Sequence, residues 1–284
     1  MALNRTDKLL AGWIGLVTVV ALTRSPVWTA QTGWLLLAHG LFVVLLWLFA
    51  HGDAEAQGWH DFYPLLLLPL LYAEVGLLND RLGLEHILRH DQVIQHLEQS
   101  LFGIQVSVEW IRRHPSLLWS NILHGAYLFY YPIIFGGPPL VLLRRSRADA
   151  RYVVFAMMCT FVVCYTVFLL YPVAGPSYAF PQPLGAVRDV AMARLVYAGL
   201  ASASSVGCAF PSSHVAATIA VTVAVWRVWP KLGMVFVIPA ALLTVGTVYT
   251  QMHYLVDASA GLLVGAAVPL VVELKKRGAD KTMS

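Results

Sequence analysis

Two short polar segments in the apolar C-terminal half of the chain carry side chains that could perform chemistry. They are Phe210-Pro211-Ser212-Ser213-His214 and His253-Tyr254-Leu255-Val256-Asp257. A histidine and an aspartate four residues apart share a helix face, so the carboxylate can orient the imidazole and leave its other nitrogen free as a nucleophile or base. A helix start with serine hydroxyls and free N–H groups can hold a phosphate, and a histidine there can protonate a leaving oxygen. Together the segments predict phosphoryl transfer.

Each segment also has a purely structural explanation. A buried hydrogen bond between His253 and Asp257 would tie two helical turns together, and Ser212 would be an ordinary helix cap beside an interfacial His214. Either segment taken alone fits that explanation. Both segments, however, open apolar runs long enough to cross a bilayer, and the charge distribution predicts both at the same membrane face. The pairing favours a shared site.

The composition is that of a membrane protein. Of the 284 residues, 58% are hydrophobic and 12% are charged, with a mean hydropathy of +0.69, whereas soluble domains have about 25% charged residues. We therefore predict an all-α, polytopic membrane helical bundle. The net charge of +4 reflects Lys and Arg that anchor loops at the membrane, so nucleic-acid binding is not expected. The three cysteines lack metal or redox spacing, and neither a metal nor another cofactor is expected.

About eight apolar runs reach the length of about 20 residues that a membrane-spanning helix needs. With a cytoplasmic N-terminus, the predicted inner segments carry twelve Lys and Arg residues against seven in the outer segments. This bias predicts that both termini are cytoplasmic and that both histidine segments lie on the outer face, which would be periplasmic, extracellular or lumenal. The predicted spans are 5–23, 33–50, 62–79, 117–143, 152–171, 211–229, 232–251 and 254–273.

The spans predict three parts of unequal size. Residues 1–60 form an N-terminal two-helix membrane hairpin, 61–275 form the catalytic membrane core, and 276–284 form a cytoplasmic tail. Within the core, 80–114 has apolar residues at roughly helical spacing, which predicts an amphipathic helix in the outer interface; an extramembrane helix packed on the bundle fits equally. The segment 172–206 is rich in Pro, Gly, Ala and Ser, and we expect it to form a lid or wall over the two motifs.

Two further patterns bear on the site. Gly261 and Gly265 follow Asp257 at intervals of four, and this stripe of small residues predicts close helix packing beside the site. His124 and Tyr131 lie roughly along one face of the fourth predicted span, together with Asn121 and Tyr127. They could line a head-group pocket, although hydrogen bonds between helices are the commoner use of such residues in membranes.

The two segments resemble those of the type 2 phosphatidic acid phosphatase superfamily, whose members carry a Pro-Ser-x-His segment and a later His-x-x-x-Asp segment. The resemblance implies a six-helix core, a site at one membrane face, a covalent phosphohistidine intermediate and no metal. It also implies that His253 is the nucleophile, that Asp257 orients it, and that His214 protonates the leaving group. Ser212 and Ser213 would hold phosphate oxygens.

The chain departs from the phosphatase branch of that superfamily at two cationic elements. Thr247 stands where that branch has an arginine six residues before the second histidine, and the loop at 171–178 lacks the Lys and Arg-Pro of that branch. A phosphate clamp contributes strongly to phosphoryl transfer, so other groups must replace it. Arg188 and Arg194 in the outer loop are candidates, and Tyr178 is a further candidate for the pocket.

A second branch is more similar. The run from Thr247 to Asp257, the Tyr-Pro-x-Ala-Gly-Pro element at 171–176 and Leu101-Phe102-Gly103 resemble inositol phosphorylceramide synthases and sphingomyelin synthases, which move a phospho-head group between lipids. This resemblance implies a lipid phosphotransferase with a phospholipid donor and a lipid alcohol or water as acceptor. A phosphatase of phosphatidic acid or polyprenyl diphosphate is one alternative. A non-catalytic transporter or lipid-binding protein on the same fold is another.

Overall fold

Helices account for the regular structure of the chain. The computed structural model describes residues 3–24, 29–51 and 57–282. The long helices of the first half are α1 (Arg5–Arg24), α2 (Ala30–His51), α3 (Gln57–Asp80), α4 (Leu84–Phe102), α5 (Val106–Arg113), α6 (Leu117–Leu128) and α7 (Gly137–Arg144). The second half contains α8 (Arg147–Leu170), α9 (Pro176–Ala179), α10 (Ala186–Asp189), α11 (Ala191–Ala203), α12 (Ser213–Val228), α13 (Pro230–Tyr249) and α14 (Leu255–Thr282).

The all-α membrane bundle is confirmed. Within the described residues, seven helical segments are long and apolar enough to span a membrane, including the composite segment Leu117–Arg144. The remaining predicted span corresponds to α12, which has 16 residues. Extended pairing in the described part of the chain is limited to one isolated bridge between Val173 and Cys208. The fold is therefore a helical bundle with irregular segments gathered at one end.

The fourth predicted span is interrupted in the middle. A π-helical turn at Pro132–Gly136 separates α6 from α7. Proline cannot donate the backbone hydrogen bond that continues an α-helix, and a wider turn absorbs the missing donor. The interruption places Tyr130 and Tyr131 directly before the turn, at the level of the site.

The predicted amphipathic segment 80–114 forms two helices, α4 and α5, where the sequence pattern predicted one. Gly103 ends α4 because it adopts a left-handed φ of 75° that other residues rarely take. Ile87, Asp91, Ile94 and Glu98 are buried against the bundle. Outside this buried stripe, α4 exposes several large apolar side chains. These are Leu84, Val93, Leu97, Leu101 and Phe102.

Helix α12 lies at the centre of the core, where it packs against α8, α13 and α14. Its buried face consists mainly of alanine and valine, so neighbouring helices can approach closely. On α14, a Cβ atom added at Gly261 would lie 2.5 Å from the Ser212 carbonyl oxygen, and one at Gly265 would lie 2.4 Å from that of Ala216. The predicted close packing beside the site is therefore present between these two helices.

We expect Gly261→Ala to destabilise the protein by about 1–3 kcal/mol, because the added methyl group collides with a backbone atom that cannot rotate away. The thermal unfolding temperature in detergent measures this effect. Gly12→Ala in α1 is the matched control, because nothing lies within 4 Å of the Cβ position there. Equal unfolding temperatures for the two variants would contradict the close approach of α12 and α14.

Candidate active site

The N-terminus of α12 is held by the second motif. Ser212 is buried, and its hydroxyl oxygen accepts a hydrogen bond from the Val215 N–H at 3.4 Å as a helix cap. The Ser212 N–H donates to the Asp257 carbonyl oxygen at 3.0 Å. This backbone bond joins the two motifs directly. The first serine thus has a structural task in addition to any contact with substrate.

His253 and Asp257 face each other at the start of α14. The distance between His253 Nδ1 and Asp257 Oδ2 is 3.6 Å, which is longer than a hydrogen bond. Oδ2 also accepts a hydrogen bond from the Tyr254 N–H at 3.0 Å. Among the described residues, His253 Nδ1 and Asp257 Oδ1 have no hydrogen-bond partner although both are buried. Contacts of this kind often shorten when substrate binds, so the pair is positioned to form one hydrogen bond.

The structure brings the two motif histidines together. The ring centroids of His214 and His253 are 6.3 Å apart, with planes inclined by 52°. The Tyr127 hydroxyl lies 3.0 Å from His214 Nε2, and the Tyr130 ring packs on the same imidazole at 4.6 Å. Two imidazoles at this separation can act on opposite sides of one phosphorus atom.

Burial determines the charge state of His253. Removal from water lowers the pKa of His253 to about 4, while the backbone of Ala209 acts in the opposite direction. The imidazole is therefore neutral at physiological pH, and a ring nitrogen keeps the lone pair that a nucleophile requires.

A cavity of about 340 Å³ adjoins His214 and Ser213. Its walls are aromatic and aliphatic, and α11, which belongs to the 172–206 segment, forms one of them. Among the described residues that line this cavity, none is a lysine or arginine. The aromatic lining comprises Tyr72, Tyr127, Tyr130, Tyr131, Phe135 and Tyr165.

Four of the five predicted pocket residues, Tyr178, His124, Arg188 and Arg194, are not part of the cavity lining. Tyr131 does line the cavity. The Tyr178 hydroxyl lies 2.8 Å from the hydroxyl of Ser204, a lining residue. His124 is buried and its Nδ1 lies 2.7 Å from the Ser120 carbonyl oxygen. The Arg188 guanidinium stacks on the Tyr197 ring at 4.5 Å, and Arg194 is not a lining residue.

The sequence analysis missed Asp91 on α4, whose carboxylate binds backbone and side-chain groups next to the site. Its two carboxylate oxygens accept hydrogen bonds from the N–H groups of Ala174 at 2.7 Å and Gly175 at 2.8 Å. Oδ1 also accepts a hydrogen bond from the hydroxyl of Tyr254, the neighbour of His253, at 3.1 Å. Asp91 thereby connects the 172–206 segment to the segment that contains His253.

Glu98 lies seven residues after Asp91, which is two helical turns, on the same buried face of α4. This spacing is the feature of the sequence that could have identified both acids as buried. The Glu98 carboxylate accepts a hydrogen bond from the Val106 N–H at 2.9 Å. Burial raises the pKa of Glu98 to about 7 despite its backbone hydrogen bonds. Two buried acids on α4 therefore connect α5, the 172–206 segment and the start of α14.

The turn before His253 contains a residue whose backbone adopts the left-handed conformation. Gln251 has a φ of 59°, which is uncommon for a residue with a side chain. Its amide nitrogen donates to the carbonyl oxygens of Pro176 and Pro181 at 3.1 and 3.0 Å, and its oxygen accepts from Arg112 at 2.7 Å. The 172–206 segment and α5 thus fix the position of the turn that precedes His253.

Fold and site together define a polytopic membrane protein in which the buried His253, supported by a carboxylate, and the partly buried His214 lie beside an aromatic cavity at one end of the bundle. The profile of the PAP2 superfamily matches residues 92–271, which is more than half of the chain. The chain therefore belongs to the PAP2 superfamily, whose members are generally lipid phosphatases or phosphotransferases.

Similarity to individual proteins is more limited. A PA-phosphatase related-family protein of Dictyostelium discoideum is 28% identical over 112 residues, which cover 37% of this chain and 20% of that protein. The matched part is thus about a fifth of that relative's length. No solved structure matches the chain.

Proposed function

We propose that the protein is a membrane-embedded lipid phosphotransferase that moves a phospho-head group from a phospholipid to a lipid alcohol through a phosphohistidine at His253. The observation that carries this proposal is the His214–His253 pair, 6.3 Å apart between ring centroids, beside an uncharged aromatic cavity. The cavity suits the apolar part of a lipid, and the histidines suit the chemistry at its phosphate.

In the first step, Nε2 of His253 attacks the phosphorus atom of the donor. A phosphorus–nitrogen bond forms while the bond from phosphorus to the diacylglycerol oxygen breaks. His214, which starts this step as the protonated imidazolium, gives its proton to that leaving oxygen and becomes neutral, while Tyr127 holds the His214 ring in place. Asp257 stabilises the positive charge that develops on His253.

In the second step, the hydroxyl oxygen of the acceptor attacks the phosphorus of the phosphohistidine. His214 takes the proton of the acceptor, the phosphorus–nitrogen bond breaks, and His253 returns to its neutral state. The head group is now esterified to the acceptor. When water is the acceptor, the same sequence of steps hydrolyses the donor.

The lack of cationic side chains in the described lining of the cavity favours a phosphodiester as donor. No cationic side chain occurs among its described lining residues, and Arg188 is engaged with Tyr197. A phosphodiester carries less negative charge than a phosphomonoester and needs fewer cations around it. This supports the transferase over a phosphatase of phosphatidic acid.

We place the site on the outer face of the membrane. It lies at the beginnings of α12 and α14, while the short loop between α7 and α8 at the other end of the bundle contains Arg145 and is flanked by Arg144 and Arg147. Short loops rich in arginine are typically cytoplasmic. Chemical labelling of single cysteines introduced into that loop, in sealed cells, tests this orientation.

Turnover of a phospholipid panel by the purified protein tests the function. Each donor is supplied with and without ceramide or diacylglycerol, and both esterified products and free phosphate are measured. Head-group transfer to the added alcohol supports the proposal. Release of free phosphate from phosphatidic acid or a polyprenyl diphosphate would assign the phosphatase function instead. Absence of turnover with every donor would favour the transporter or lipid-binding alternative.

The pH dependence provides a further prediction. Because burial lowers the pKa of His253 to about 4, the nucleophile remains neutral until the pH falls to that region. We expect the acidic limb of the kcat/KM profile to lie near pH 4, well below the ordinary histidine value of about 6.5. Because His214 must enter the reaction protonated, kcat/KM should fall again at higher pH as this acid loses its proton. Protein incubated at low pH and assayed at neutral pH controls for unfolding. An acidic limb near the ordinary histidine value would contradict a buried neutral nucleophile.

A further inference from the structure

Two adjoining cavities lie at the end of the bundle away from the histidines. The first has a volume of about 550 Å³ and is partly lined by charged and polar residues of α1, α3 and α8. The second has a volume of about 530 Å³ and is almost entirely apolar, between α8 and α14. Arg5, Phe155 and Val272 line both cavities. They therefore form one continuous cleft with a polar part and an apolar part, which we call the lower cleft.

Helix α14 connects the two ends of the protein. It begins beside the site at Leu255 and reaches the lower cleft at Lys275, a distance of about 30 Å at the rise of an α-helix. The hydrocarbon core of a bilayer is also about 30 Å thick. The charged end of the lower cleft is thus separated from the active site by about the full thickness of a membrane.

The polar part of the lower cleft is positively charged. Asp61 is buried, and it accepts hydrogen bonds from the Nε atoms of Arg147 and of Arg151, the latter at 2.6 Å. Arg5 also lines this cavity, and Lys275 lines the adjoining apolar cavity; neither forms an ion pair within the described part of the chain. The lower cleft as a whole therefore has four cations and one carboxylate among its described lining residues, and Asp61 holds Arg147 and Arg151 in fixed positions.

The apolar part of the lower cleft extends through most of one leaflet. Along α8 it extends from Phe155 to Val163, about 12 Å of helix, compared with about 15 Å for half of a bilayer core. The residues along it are Phe155, Cys159, Val163, Ala267, Val268 and Val271.

We propose that the lower cleft binds an anionic glycerophospholipid of the leaflet opposite the active site. Its phosphate lies among Arg5, Arg151 and Lys275, and an acyl chain lies along the apolar surfaces of α8 and α14. Basic pockets between membrane helices attract anionic head groups in this way. The charge of the polar part and the length of the apolar part, about 12 Å along α8, together favour such a lipid over a soluble anion. The bound lipid fastens α1 to α8 and α14.

Thermal unfolding in a neutral detergent tests this site, with phosphatidylglycerol and phosphatidylcholine of identical acyl chains as probes. We expect phosphatidylglycerol alone to raise the unfolding temperature, by roughly 5 °C at a hundredfold excess over Kd.

The double variant Arg5→Gln/Lys275→Gln removes two cations without disturbing Asp61 and should lose this difference. Arg144→Gln/Lys231→Gln removes the same charge outside both cavities and should keep it. Ala267→Trp, which fills the apolar part, should also abolish the difference.

Four outcomes would overturn the proposal. One is an equal shift with both lipids, and another is loss of the difference in the Arg144→Gln/Lys231→Gln control. The third is the same stabilisation by glycerol phosphate, which would assign the cavity to a soluble anion. The lipid effect should persist in His253→Ala, and its disappearance there would place the lipid at the active site.

Discussion

His253→Ala is expected to lower turnover by about four to six orders of magnitude, because the variant cannot form the covalent intermediate on which both steps depend. His253 is the motif histidine that faces a buried carboxylate and that burial keeps neutral. Initial rates of head-group transfer in proteoliposomes, with ceramide or diacylglycerol as acceptor, measure the effect.

His96→Ala is the matched control, because His96 is an exposed histidine on α4 and its loss should leave the rate unchanged. A second readout separates chemistry from folding. Donor carrying a radiolabelled phosphate should leave acid-labile label on the wild-type protein after rapid quenching, and none on His253→Ala. Near-normal turnover by His253→Ala would exclude the phosphohistidine mechanism.

Asp257→Asn is expected to lower turnover by about two to four orders of magnitude, because an amide can neither fix the His253 tautomer in the same way nor stabilise its positive charge. Asp257 is fully buried, and its Oδ2 is 3.6 Å from His253 Nδ1. The substitution preserves the shape of the side chain, so packing against α12 should survive. Single-turnover measurements should show slower appearance of label on His253 with little change in donor binding.

Asp80→Asn is the control for this substitution, since Asp80 is exposed at the end of α3. The unfolding temperature of Asp257→Asn should stay close to that of the wild type. A variant that folds normally and turns over at the wild-type rate would assign the His253–Asp257 pair to helix packing alone. Such a result would support the structural explanation of the second motif.

The sequence predicted the helical bundle well because hydropathy depends on local composition. Stretches of about 20 apolar residues must form helices in a bilayer, since every backbone polar group has to be paired within the segment. The predicted spans therefore correspond to the observed helices, with α12 the shortest. The break of 80–114 at Gly103 was missed because periodicity shows a helix face but not the backbone angle of one glycine.

The candidate site was predictable to the extent that its residues are close in the chain. His253 and Asp257 are four residues apart, and Ser212, Ser213 and His214 open one helix, so spacing alone identifies two local groups. That both groups belong to one site followed from the alternation of spans across the membrane. The roles of these residues in catalysis stay predictions.

Only the tertiary structure decided what surrounds those groups. Tyr127 lies 87 residues before His214, and Asp91 lies 163 residues before Tyr254. The uncharged aromatic cavity and the lower cleft are likewise formed by residues that are far apart in the chain, because their walls come from three or more helices. Composition and spacing specify which helices form and which faces are apolar. Which distant faces meet depends on the packing of the whole bundle, because membrane helices associate through shape and polar contacts that no single segment encodes.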